Sequence, residues 1–206
     1  MRKGKQQPVA GFVETALMLA MEKYDRSTKV HCERVKRLST IIGISMNLEN
    51  SDVYILQSAA ALHDLGKINI PDSILFKPSQ LDQSEWKTMR THAASGAEMV
   101  ATSKIEQAGM IAKIIRHHHE HLDGSGYPDG LQGKNIPLLS RIISVADSYD
   151  AISMHRHYSG ATPHARALEI MRSERGTKLD PEVLDVFEDV VSSEFNVHTL
   201  ISVEII

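Results

Sequence analysis

The sequence predicts an all-α domain of about seven helices packed around one core. Three observations carry that reading. Apolar residues recur at the 3.6-residue helical period through most of the chain. Capping residues followed by proline mark several helix starts. Of 206 residues, 42% are hydrophobic, enough to bury one good core.

Residues 9–23, rich in Ala, Leu and Met, form the first periodic stretch, read as a packing helix with a linker or dimer contact as the alternative. From His31 to Met46, the residues Val35, Leu38, Ile41, Ile42 and Met46 make one stripe of a second helix. SDVYILQSAAALH (51–63) is a third, with Gly66 available to end it. Residues 69–79 read as a loop with at most one helical turn. Asp82 and Glu85 have capping-box spacing, predicting a helix through Trp86 and Met89 towards Val100. Another helix is expected from about Lys104 to His121. Pro137, Thr162-Pro163 and Asp180-Pro181 then open three more. Met18, Met21, Met46 and Met110 sit at apolar helical positions and read as core. The tail VHTLISVEII reads as a short strand or a frayed end.

Net charge is −3, from 23 basic and 26 acidic residues, which offers no broad cationic face for polymeric nucleic acid or a membrane surface. One cysteine, Cys32, excludes an internal disulfide, fits a reducing compartment and reads as a buried small residue. No apolar run reaches the roughly 18–20 residues of a membrane span. MRKGKQQPV lacks the apolar stretch of a secretion signal and reads as a flexible end or a linker. A cytoplasmic protein is expected.

Chemistry concentrates in HHHEHLDGSGYPDG (117–130), where four histidines run into a glycine-rich loop. On composition alone the loop is a tight turn. Other histidines keep it company. His63-Asp64 closes the third helix within HDLGK, His31 opens the second, and His92 lies in MRTHAASG. Asp147 stands among Ile142, Ile143, Val145 and Ala146, where burial is costly without a cation or strong hydrogen bonds.

The ordered set His31, His63-Asp64, His92, His118-His119 and Asp147 resembles the HD superfamily of metal-dependent phosphohydrolases. Its surroundings resemble the HD-GYP branch, bacterial phosphodiesterases of cyclic di-GMP. The matching stretches are HCERV (31–35), LHDLGKINIPDSIL (62–75), KPSQL (77–81), HAASG (92–96), HHEHLDGSGYPDGLQGKNIP (118–137), RIISVADSYDA (141–151) and LDP (179–181). The resemblance implies a single HD-type helical bundle at 25–195, flanked by an N-terminal segment and linker helix (1–24) and a tail (196–206). It implies two divalent ions, Fe or Mn before Zn or Ni, held by N and O donors without thiolate. Asp64 would bridge them, with His31, His63, His92 and Asp147 on one ion and His118 and His119 on the other. Lys67 would face the scissile phosphate, although a lysine at a helix end also suits the helix dipole. Gly126 and Tyr127 would wall the substrate site, Asp123 would fix the loop or a ligand histidine, and Arg156 would pair with a phosphate. His117 and His121 match no ligand position and read as surface or supporting groups, while His155, His157, His164 and His198 carry no signal.

The activity so implied is opening of cyclic di-GMP by a metal-bound hydroxide, giving linear pGpG and, with a second cut, GMP. Two alternatives stay open. One is a catalytically weak module that binds a cyclic dinucleotide or a signalling partner such as a diguanylate cyclase domain. The other is an HD phosphohydrolase acting on a different nucleotide. A homodimer is compatible with either. Departures from the family pattern are Ser27, where some members carry a glutamate for a third metal; Leu122 in place of Trp; His155 and His157 beside Arg156; and Ser159 in place of a basic residue.

Overall fold

A computed structural model describes residues 9–154 and 163–192. These form ten α-helices and two short 3-10 turns, and no strand occurs among them. In order they are α1 (Val9–Tyr24), α2 (Arg26–Ser45), α3 (Asn50–Leu62), a 3-10 turn at Leu65–Asn69, α4 (Asp72–Leu75) and α5 (Gln83–Met89). α6 (Thr91–Ala101), α7 (Ala108–Arg116), a 3-10 turn at Gly133–Asn135, α8 (Leu138–Ser153), α9 (His164–Ser173) and α10 (Pro181–Ser192) follow. No described helix is long and apolar enough to cross a membrane.

Local signals account for five of the ten described helix starts. Asp25 caps α2, its Oδ1 accepting from the Ser27 amide at 2.9 Å. Asp82 and Glu85 form a complete capping box on α5. Pro137 and Pro163 immediately precede α8 and α9, and Asp180 caps α10 through the Glu182 amide at 2.8 Å. Arg156 and the tail 196–206 lie outside the described residues.

The core gathers the inner faces of α2, α3, α7, α8 and α10, with Leu38, Ile42, Leu56, Ile111, Ile115, Ile142 and Phe187 at most 1% exposed. Each such side chain contributes about 1.5–3 kcal/mol by leaving water. Small residues Ala59, Ala60 and Ala61 let α3 approach its neighbours α2 and α7 closely. α1 packs on this body through Met21, Leu17 and Val13. Met110 departs from expectation: it is 48% exposed, because α7 turns Ile111, Ile114 and Ile115 inward and leaves position 110 on the outer face.

Two expected helices are shorter than their periodicity suggested, and both changes serve the site. The helix begun at Gln83 ends at Met89, and α6 starts afresh at Thr91, placing His92 in its first turn. α7 stops at Arg116, so His118 and His119 leave on a turn rather than on helix. Gly66 and Gly96 let the 3-10 turn and α6 cross backbone to backbone. A Cβ on Gly66 would lie 2.0 Å from the His92 carbonyl oxygen. That crossing brings Asp64 against His92.

Candidate metal centre

The structure brings all seven expected donors together at the ends of α3 and α7, the start of α6 and the inner faces of α2 and α8. The two oxygens of Asp64 divide them. Oδ2 lies 3.6 Å from both His31 Nε2 and His63 Nε2. Asp147 Oδ1 closes the same side, 3.0 Å from His31 Nε2 and 3.9 Å from His63 Nε2. Oδ1 faces the other way, 3.4 Å from His92 Nε2. Donor atoms of His31, His63 and Asp64 lie within 4.8 Å of one another, as do those of His92, His118 and His119. His92 therefore groups with His118 and His119, whereas the sequence reading put it with His31 and His63.

The imidazoles are prepared to give lone pairs inward. The Nδ1 atoms of His63, His92 and His118 lie 2.8, 2.8 and 2.6 Å from the carbonyls of Ala60, Met89 and Ile115. A carbonyl only accepts, so Nδ1 carries the proton and Nε2 the lone pair. All three Nε2 atoms are buried without a hydrogen-bond partner. Orphaned buried acceptors of this kind are costly unless a cation meets them, so the donor set fits divalent metal. Burial holds His92 and His118 below the ordinary histidine range and His119 down to about 3, which favours the neutral ring in each. Both carboxylates stay ionised despite burial. Lys67, His63 and His92 lower Asp64, while a hydrogen bond from His31 lowers Asp147. His31 differs from the other rings. Burial opposes its charge, but hydrogen bonds to Asp147 and Asp150 raise it to about 9.

Residues 15–183 match the family model of the HD domain. The chain belongs to the HD domain family. Among curated relatives, the cyclic di-GMP phosphodiesterase response regulator RpfG of Xanthomonas campestris pv. campestris is 40% identical over 169 residues, covering 82% of this chain and 45% of the relative. A cyclic di-GMP phosphodiesterase of Thermotoga maritima is 39% identical over 171 residues, 83% of this chain and 46% of that protein. The 3'3'-cGAMP-specific phosphodiesterase 3 of Vibrio cholerae is 39% identical over 155 residues, 75% of this chain and 33% of its own. This HD domain thus spans less than half the length of these relatives. Its fold is also that of the V. cholerae cyclic GMP-AMP specific phosphodiesterase V-cGAP3, with TM-score 0.66 at 21% identity, covering 85% of this chain and 47% of that one. The HD domain of the L. monocytogenes phosphodiesterase PgpH, solved with cyclic-di-AMP, gives TM-score 0.61 at 15% identity over 90% of this chain and 93% of that one.

Above the histidines and acids, this HD domain opens a cleft of about 640 Å³ whose walls include Lys67, Phe76, Trp86, Met89 and Tyr127. Lys67 Nζ donates to Asp64 Oδ2 at 2.6 Å, the oxygen that also faces His31 and His63. The Tyr127 ring lies 4.8 Å from that of His119, and its amide donates to the His119 carbonyl at 3.1 Å. Asp123 is not brought to the cleft; it is exposed, its Oδ1 accepting from the Ser125 amide at 2.9 Å to hold the turn. Gly126 acts through space rather than through a cleft contact, since a Cβ there would come within 2.5 Å of the His119 carbonyl oxygen.

Several supporting residues escaped the sequence reading. Asp150, 1% exposed, takes His31 Nδ1 at 2.7 Å and is itself held by Arg34 through Nε at 2.6 Å and Nη2 at 2.8 Å. Its signal was its place three residues after Asp147, one turn along the same face of α8. Buried Glu120 accepts the amides of Asp129 and Leu131 at 2.7 and 3.0 Å, clamping the glycine loop. Asp129 is further held by Arg116 and by His117 Nε2 at 2.9 Å. His117 and His121, read from the sequence as surface or supporting groups, both contribute here, His121 pairing with Ser125 in the loop at 2.9 Å.

Proposed function

We infer that this HD domain is a metal-dependent phosphodiesterase that hydrolyses cyclic di-GMP, first to linear pGpG. The observation that carries the reading is the pair of donor clusters on opposite oxygens of Asp64, with three buried Nε2 lone pairs turned inward. His31, His63 and Asp147 would hold one divalent ion and His92, His118 and His119 the other, with Asp64 between them. The family resemblance favours Fe or Mn, while the N/O donor set itself also admits Zn and Ni. Bound there, such ions lower the pKa of water and offset charge on a phosphoryl oxygen. The chain's own groups supply the rest. Lys67 presents an ammonium at the floor of the cleft, where it can meet a phosphate oxygen. Tyr127, its ring tilted against that of His119, gives an aromatic wall. Phe76, Trp86 and Met89 cover apolar surface where a nucleoside would lie and exclude water.

A second substrate, the mixed cyclic GMP-AMP dinucleotide, is favoured by the relatives named as specific for it. Protein loaded anaerobically with Fe(II) or Mn(II) and given both dinucleotides decides between them. Cleavage of cyclic di-GMP, lost by more than about 10³-fold in Asp64→Ala, is the expected outcome. Turnover that survives Asp64→Ala, or none at all with two ions bound per chain, would sink this reading and favour a binding module.

A further inference from the structure

Beside the metal cleft lies a second cavity of about 610 Å³, lined by Gln83, Trp86, Lys87, Arg90, Tyr127 and Pro128 among others. Trp86 and Tyr127 line both spaces, so these two rings form the partition between them. No carboxylate lines the second cavity. Lys87 and Arg90 are exposed and, among the described residues, neither pairs with an acid. Three and four residues from Arg90 on the α5 turn, Lys87 and Trp86 are its surface neighbours. The Arg90 guanidinium carbon stands 5.3 Å from the centre of the Tyr127 ring. Trp86 is 50% exposed, which leaves part of its indole face open towards the cavity it lines.

We propose that this cavity receives the distal nucleotide of a dinucleotide whose other phosphodiester lies over the metal centre. The distal base stacks on Trp86, and the second phosphate meets Lys87 and Arg90. Two free cations beside an exposed indole combine charge for phosphate with a flat apolar face for a base, the pairing that single-strand nucleotide sites use. The shared partition explains why the rings stand where they do, since a two-phosphate ligand must pass both. A mononucleotide needs only one of the two spaces, so the second selects for dinucleotides. This assignment rests on the phosphodiesterase reading for the neighbouring cleft and specifies how its substrate is held.

Trp86 is the only tryptophan of the chain, so its emission reports directly on the site. Metal-loaded protein titrated with a non-hydrolysable phosphorothioate analogue of cyclic di-GMP is expected to show saturable quenching. Lys87→Gln and Arg90→Gln should each weaken binding about tenfold, and Trp86→Ala, followed by equilibrium dialysis, by a similar factor, with Trp86→Phe restoring most of it. Metal content should match the parent in all four, and in the loaded protein the loss should fall on KM. Lys87 is exposed and unpaired, so that variant tests the idea without threatening the fold. Binding that leaves Trp86 emission unchanged, or Lys87→Gln and Arg90→Gln affinities within twofold of the parent, overturns the proposal. Loaded wild type that binds with quenching but does not hydrolyse removes the phosphodiesterase reading and leaves the nucleotide pocket standing.

Discussion

On the Oδ2 side of Asp64, His31 and His63 share their space with Asp147, while Asp150 stands behind His31 and Lys67 alongside. On the Oδ1 side, His92, His118 and His119 make no ion pair with any other carboxylate among the described residues. The same residue type consequently behaves in opposite ways. His31 is drawn towards the imidazolium form, and His118 and His119 are held neutral by burial. Imidazole alone does not define a metal ligand; the groups around each ring decide whether a proton competes for its lone pair.

The contrast breaks most directly by removing one donor per side. His118→Ala and Asp147→Ala are each expected to cut hydrolysis by more than about 100-fold, beyond the range of outer-shell changes. Elemental analysis should find about one ion retained in each, on the untouched side. If either variant empties both clusters, Asp64 couples them too tightly for the two sides to be separate sites. A smaller effect is expected from Asp150→Asn, which leaves every donor in place but loosens His31 from its carboxylate and frees Arg34. Metal affinity on the Oδ2 side should fall about 10–100-fold while the other ion stays. Equal weakening of both would mean that Asp150 supports the fold rather than one ring.

The smallest effect is in pH dependence, measured as the thermal midpoint of metal-free protein. His31 has its folded pKa raised to about 9 from 6.5, so its contribution is complete below pH 6.5 and disappears as pH rises towards 9. His92, His118 and His119 have theirs lowered, so stability is complete above about pH 6.5 and lost as pH falls below it, where the unfolded chain takes up protons that the folded one refuses. A maximum near pH 6.5, falling by several degrees on both sides, is the expected profile. Midpoints that stay level from pH 6.5 to 9 would show that the His31 pairing carries no stability. Loading Mn(II) should flatten the alkaline arm.

All seven candidate donors could be read from the sequence through their ordered resemblance to the HD-superfamily pattern, and the structure brings their side chains together. Their grouping could not. Which oxygen of Asp64 meets His92 depends on the restart of helix at Thr91 and on the crossing of Gly66 with Gly96, a contact between segments about thirty residues apart that no local period encodes. Asp150 was hidden because a carboxylate one turn from another reads as ordinary helix surface until Arg34, 116 residues away in sequence, is seen against it. For Asp123 the motif left open a substrate contact, a hold on a ligand histidine or a hold on the loop, and its side chain is seen in the last of these, accepting the Ser125 amide in a local turn. The number of helices rose for a similar reason, since the restart after Arg90 obeys tertiary packing rather than periodicity, while the single turn α4 is the one expected within residues 69–79.

Glu120 lies next to His119 in the chain, yet its carboxylate grips the far limb of the glycine loop at Asp129 and Leu131. Tyr127, near the tip of that loop, returns to the His119 backbone and rests on its ring. Donor and wall are therefore one mechanical unit, with little slack between them. Filling the donor site is therefore expected to order the wall, and by reciprocity any gain in ligand affinity this brings must appear equally as a gain in metal affinity. Occupancy of one becomes a measure of the other.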